Sequence, residues 1–433
     1  MASTLEAAHL SDLHELASKL GVERYRLLSR DDLAAAILER DPDAAAGLPE
    51  RQPAPPPVPT AERTDGDRKP RADKPAEEDE PDDPGEPVTG VLDITPRGHG
   101  FIRLSGLEGT EEDVYVSPSQ IRRCELRRGD EVAGPARKPR RGERYPALVH
   151  VDKINGVEPG EERTRLGEAI PVHPSRRIEL NPVEGTSSED AVLLRSIDLL
   201  FPLAHGQRVL VEATPGSGRT TLLRALARAL DGRDDLELVV LLIDERPEEV
   251  EAWKEAAPGA ELAIATGDMR SGEQLRLVEL AFGRATRQAE GGTDVVLLVD
   301  SLSRIAIAAD DPGRVKPIFG AGRQTAEEGL GALTVVATTL AGDEAGVTAA
   351  LETTESTLLV LDRELAASGV YPAIDIAASR ISGEGELREG GEVAAAGALR
   401  TELAGLTAPE AAAALRERIE GSPDNGALLS SLS

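Results

Sequence analysis

Hydrophobic positions divide the chain into stretches of different period. Across residues 1–45 they recur at helical spacing, with Leu10, Leu13, Leu16 and Leu20 on one face and Leu33, Ala36, Ile37 and Leu38 on another. Ser29 stands where an N-cap belongs, followed by Asp31 and Asp32 in an acidic first turn. A small helical module is predicted there, too short to hold a large core. Large apolar residues then nearly vanish over 46–87, a segment crowded with proline and charge. Burial cannot offset the entropy of ordering such a segment, so a disordered linker is expected. From Val88 the period falls to two, in VTGVLDI, GHGFIRL, DVYVSPSQI, DEVAGPAR and RYPALVHVDKI. Gly-containing turns and about five short strands over 88–155 predict a small barrel of the OB type. Residues 156–182 read as a polar connector.

Over 183–433 the apolar runs become continuous: RVLVEA, LELVVLLID, ELAIATG, TDVVLLVDS, ALTVVATTL and TLLVLDREL, with helical patterns between them. Strands apolar on both faces imply a parallel α/β sheet covered by helices on both sides. Val209–Leu223, VLVEATPGSGRTTLL, reads as strand, glycine-rich turn and helix, which suits a phosphate. The domain therefore resembles a RecA-type nucleotide-binding core.

Composition narrows the function classes. The chain has 433 residues, a formal charge of −29 and only 2% aromatics, so the core must be aliphatic and the surface as a whole does not suit nucleic acid. One basic island interrupts the acidity. Between Arg122 and Arg144 lie nine Arg/Lys (Arg122, Arg123, Arg127, Arg128, Arg137, Lys138, Arg140, Arg141, Arg144) against Glu125, Asp130, Glu131 and Glu143. Phe101, Tyr115 and Tyr145 are interleaved with it on different strands. Aromatic rings beside a cationic track are what single-stranded nucleic acid requires; the other reading makes the rings barrel core and the arginines solvated. Cys124 is the only cysteine, so no intrachain disulfide forms. No apolar run reaches a membrane span and no signal-peptide pattern is present, so a soluble, cytoplasmic protein is expected.

The nucleotide chemistry falls in three places. The loop and first turn, Thr214, Pro215, Gly216, Ser217, Gly218, Arg219, Thr220 and Thr221, would wrap ATP phosphates, with the Thr220 hydroxyl on Mg²⁺. Asp300 ends VVLLVDS, where a carboxylate can hold the hydration shell of Mg²⁺. LVVLLIDER ends in Asp244-Glu245-Arg246; Glu245 is the candidate general base, and Arg246 joins the catalytic and nucleotide set.

These stretches, with VYVSPSQIRR, LLIDERPEEV, FGAGRQTAEEGLGALTVVAT and YPAID, resemble the bacterial transcription termination factor Rho family over nearly the whole length. The resemblance implies an RNA-dependent ATPase and translocase working as a hexameric ring on the transcription complex of RNA polymerase. Residues 1–45 then match the family's N-terminal helical bundle. The barrel would take cytosine-rich single-stranded RNA through Gly98, His99, Gly100, Phe101, Ile102, Arg103, Asp113, Val114, Tyr115, Glu143, Arg144 and Tyr145. His99 replaces an aromatic residue of the family's spelling.

Several positions depart from the family. Arg219 stands in place of the phosphate-loop lysine. Only DPGRVKPI joins Asp310 to Phe319, where the family carries a long pore loop; Arg314 and Lys316 remain there to meet RNA. LETTEST, aligned with a second pore segment, carries no cation. Ser382 takes the place of the trans-acting arginine, with Arg380 two residues earlier as its substitute. Arg304 and Arg363 keep family-like surroundings. Two functions are therefore expected: a terminating translocase, or a relative that binds RNA and nucleotide without translocating. A rotary-ATPase subunit would share the core but not the barrel.

Overall fold

In the computed structural model, strand β1 (Glu86–Ile94) is long enough to pair twice. Its second half runs antiparallel to β2 (Gly100–Arg103) and its first half antiparallel to β4 (Glu131–Arg137). β3 (Val114–Val116) and β5 (Ala147–Leu148) complete the circuit β1-β2-β3-β5-β4-β1, and β6 (Lys153–Ile154) extends β4. The ring of pairings closes the barrel, and alternation sends Leu92, Ile102, Val114, Val116, Val132 and Leu148 into one core. Between β3 and β4 lies helix α1 (Pro118–Arg123), started by a capping box. Gln120 N donates to Ser117 Oγ at 3.2 Å, and Gln120 Oε1 accepts from Ser117 N at 3.0 Å.

The structure describes residues 85–433 except 184, 343–345, 352 and 433, plus positions 20, 36, 37, 40 and 41. Most of the expected helical module and of the expected linker therefore lies outside the described residues. Among the described residues, no helix is long and apolar enough to cross a membrane.

The connector is pinned to the α/β domain. Pro171–Val172 pairs with Gln324–Thr325, Arg177–Ile178 pairs with Leu203–Ala204, and Leu166, Ile178 and Leu180 are buried. Then come α2 (Ser188–Leu200), β7 (Arg208–Ala213), α3 (Arg219–Leu230), β8 (Glu237–Glu245) and α4 (Val250–Ala256). Next are β9 (Glu261–Thr266), α5 (Ser271–Glu290), β10 (Val295–Asp300), α6 (Leu302–Ala309) and β11 (Leu333–Leu340). β12 (Thr357–Leu361), α7 (Arg363–Ala367), β13 (Ile374–Ile381), α8 (Gly390–Ala404) and α9 (Ala408–Glu420) complete the main elements of the domain.

The sheet order is β9-β8-β10-β11-β7-β12-β13. Successive residues enter opposite cores: Val209, Val211, Val240 and Leu298 pack on one face, and Leu210, Val239, Leu241 and Leu297 on the other. That is why these strands read as unbroken apolar runs. All six runs seen in the sequence are strands of this sheet. The seventh, β13, was not anticipated. It is antiparallel to β12 at the sheet edge, and its AASRI half has no apolar alternation.

The barrel rests on α5 by close backbone approach and ion pairs. A side chain at Gly129, whose φ is 84°, would run into the backbone of Gly283 and Arg284. Around this contact Arg127 meets Glu290 at 2.8 Å, Arg276 meets Asp93 at 2.6 Å, and Arg284 meets Glu131 at 3.1 Å. Arg128 pairs with Glu279 and also lies 3.6 Å from Asp93. Gly129→Val should therefore cost about 2 kcal/mol or more through left-handed strain and collision. Thermal unfolding should show a lowered Tm, and limited proteolysis should release the barrel sooner; unchanged melting would refute the contact.

Candidate functional site

β7 delivers the chain to a turn in which Gly216 and Gly218 have φ of 83° and 92°, a conformation that glycine adopts without strain. α3 begins at Arg219 without a side-chain cap, so its first N–H groups remain available to an anion. Ser217 Oγ donates to Thr214 O at 2.8 Å and braces the turn. Asp300 ends β10, separated from β7 by β11 alone. Its carboxylate is buried, with Oδ1 accepting from Thr338 Oγ1 at 2.9 Å and lying 3.0 Å from Arg219 Nε. Burial pushes the Asp300 carboxyl above its usual range, opposed by the Arg219 charge. Arg219 is thus placed against the acid through Nε.

The donor set fits Mg²⁺. Asp300 Oδ2 and the hydroxyls of Thr214 and Thr339 are buried without hydrogen-bond partners, and Thr220 lies in the first turn of α3. Arg363, first residue of α7, brings Nε to 4.0 Å from where a Gly216 side chain would begin. Thr338, Thr339 and Arg363 were absent from the expected site. The paired threonines ending ALTVVATTL were the available signal for the first two.

Glu245 ends β8 beside β10, as expected. Asp244 before it adopts φ 60° at a register break in the β8–β9 ladder, and Arg304 holds its carboxylate at 2.6 Å. The turn after Arg246 is tied to α3, where Arg224 pairs with Glu249 and lies 5.3 Å over the Trp253 ring. Arg246 is exposed. Arg380 does not join Glu245 within one chain. It sits opposite Leu358, and Leu358 opposite Leu210, so it lies about 10 Å down the strands from the phosphate loop, two strands across. There it pairs with Glu355.

On the barrel the separated aromatic segments converge. His99 lies 5.6 Å from Phe101 and 5.7 Å from Tyr115, and Phe101 lies 5.9 Å from Tyr115 and 5.0 Å from Tyr145, all four rings half-buried. The alternative of rings buried in the core is thereby excluded. Tyr115, Arg123, Glu143, Arg144 and Tyr145 line a cleft of about 520 Å³, with the Arg144 guanidinium 5.4 Å from the Tyr145 ring centre. Arg137 holds Glu143 by two hydrogen bonds, at 2.6 and 2.8 Å, and with the Arg140 N–H keeps its carboxyl down at about 2. Gly98 is open and Gly100 buried on β2.

Other expected RNA contacts turn inward. Ile102 and Val114 are core residues, because alternation points their side chains into the barrel. Asp113 is buried and pairs with Arg103, which also reaches Asp93 at 2.5 Å. The cationic track is shorter than the sequence suggested, since Arg127 and Arg128 face acids of α5 rather than the aromatic cleft. Arg314, expected in a residual pore loop, pairs with Glu279 beside Arg128.

Asp300 carries a stability cost. A carboxyl raised by burial costs the fold stability progressively as pH climbs from the ordinary carboxylate range through its own raised one. Asp300→Asn should leave the nucleotide-free protein at least as stable at pH 7.5, read as Tm. A clear fall would mean that Arg219 and Thr338 more than compensate the charge.

Comparison with known proteins agrees with this layout. Family models match at residues 4–45 (Rho termination factor, N-terminal domain), 88–160 (Rho termination factor, RNA-binding domain) and 194–314 (ATP synthase alpha/beta family, nucleotide-binding domain). A solved ATPase from the type III secretion system of pathogenic bacteria shares the fold at TM-score 0.50 and 20% identity, over 66% of this chain and 90% of that one. The transcription termination factor Rho of Mycobacterium leprae is 35% identical over 79% of this chain, which spans 60% of that protein's length. The Haemophilus influenzae Rho is 36% identical, covering 66% of this chain and 73% of that protein. The Bacillus subtilis Rho is 32% identical, covering 86% of this chain and 83% of that protein. Similarity that runs through barrel and nucleotide core alike places the chain in the transcription termination factor Rho family.

Proposed function

We propose that this protein is an RNA-binding termination factor that hydrolyses ATP and moves along nascent single-stranded RNA as a cytoplasmic, ring-shaped homo-oligomer, probing transcribing RNA polymerase. The observation that carries the reading is the convergence of His99, Phe101, Tyr115 and Tyr145 on one barrel face of the chain that also holds the phosphate loop. Half-buried rings offer faces to bases, and the Arg144 rim offers charge to phosphates. Cytosine-rich RNA, which the family resemblance implies, is the proposed ligand of this cleft.

In the nucleotide core, the Gly216–Gly218 backbone and the start of α3 bind phosphate oxygens, with Arg363 at the mouth. Thr220 and the free Oδ2 of Asp300 would hold Mg²⁺, which supplies charge neutralisation to the phosphates when bound. Glu245, fixed after the Asp244–Arg304 pair, orients and deprotonates water. Arg380, remote from its own phosphate loop, serves the site of a neighbouring copy.

ATP turnover measured with and without poly-cytidine RNA tests the whole reading. RNA should stimulate it, and Glu245→Ala should abolish it. Phe101→Ala and Tyr145→Ala should each weaken poly-cytidine binding by about tenfold, the loss of roughly one stacked base. RNA binding without any stimulated turnover would leave a binding protein and overturn the translocase.

A further inference from the structure

Arg219 occupies the family's phosphate-loop lysine position, and its contacts bear on metal use at the nucleotide site proposed for this chain, on which the inference rests. Arg219 comes nearest Asp300 with Nε, 3.0 Å from Oδ1, as an ion contact without a hydrogen bond. Neither Nη of Arg219 has a protein acceptor among the described residues. A guanidinium spreads five N–H groups over a rigid plane, so one edge can hold a carboxylate while the other meets an oxyanion. A lysine ammonium concentrates its charge on one nitrogen and must serve both from a single point. Asp300 meanwhile is all but closed to water, its Oδ1 shared by Thr338 and Arg219.

We infer that Arg219 is a specificity-determining residue that makes nucleotide binding largely independent of Mg²⁺: it neutralises Asp300 from within the chain and leaves its outer edge for the phosphates. Without such a cation, a metal-free triphosphate would approach a bare buried carboxylate and be repelled, and Mg²⁺ would be needed to separate the two. With Arg219 in place the repulsion is already cancelled. A divalent cation arriving at Oδ2 also meets a fixed positive charge that cannot be removed by deprotonation. Mg²⁺ remains able to act in hydrolysis, but it adds little to affinity.

Isothermal titration of ADP and ATP into the full chain, in Mg²⁺ and again in EDTA, tests this. For the wild type, Kd should change by less than about threefold between the two buffers, whereas in Arg219→Lys it should change by about tenfold or more, the weight of one charge-assisted hydrogen bond. Asp300→Asn, which removes the carboxylate without changing its shape, should bind ATP in EDTA at least as tightly as the wild type. Thermal melts of both variants establish that they are folded. Equal Mg²⁺ dependence in wild type and Arg219→Lys would overturn the inference while leaving the nucleotide site intact. No binding in either buffer would overturn the site itself.

Discussion

A carboxylate shut away from water at the end of a parallel strand must be neutralised, and much of the nucleotide core is arranged around that requirement. Asp300 is placed by β10, whose residues on both sides are sealed into apolar cores. The hydroxyl that bonds it comes from the next strand, β11, and the cation from the helix after the phosphate turn on β7. Three neighbouring strands thus meet at one acid. The residues that would bind phosphate cannot be described apart from the one that would bind metal, because they form a single charge-balanced unit in the nucleotide-free chain. A metal-holding acid is generally costly to keep buried, and proteins tolerate such cost at sites where chemistry needs it.

A second balance holds the barrel. The acidic chain carries its basic island where α5 presents Glu279 and Glu290, and two of the nine cations are engaged there. Asp93 receives Arg103 from β2 and Arg276 from α5, and it lies within reach of Arg128. The same Glu279 takes Arg314 from the short segment after α6. Barrel, α5 and that segment therefore share one ionic cluster, and the segment's arginine faces the junction between domains. The cations left beside the aromatic cleft, Arg123 and Arg144 among them, are few, which makes the rings the larger part of any affinity there.

Legibility in the sequence tracked locality. Six strands of the core were readable because burial on both faces writes itself as an uninterrupted apolar run. β13 was not, because an edge strand carrying Ala378, Ser379 and Arg380 needs no such run. The phosphate loop and the acids ending β8 and β10 were readable from strand–turn–helix order. Partners distant in sequence were not: nothing local says that Arg127 meets Glu290, that Arg103 turns to Asp113, or that Arg219 rests on Asp300. Alternation alone could have removed Ile102 and Val114 from the RNA set, since each lies one residue from a ring that faces outward.

The chain holds a single tryptophan, and its position makes it an optical probe. Trp253 is fully buried in α4 with the Arg224 guanidinium over its ring, and Arg224 belongs to the helix that starts at the phosphate turn. Any shift of α3 against α4 changes the field at that indole, so its emission colour responds to movement of the phosphate turn. Tyr115 and Tyr145 lie on the barrel cleft, where a stacked base would quench them by contact. The nucleotide half of the molecule can thus be followed, in an unlabelled sample, by the light that one indole returns.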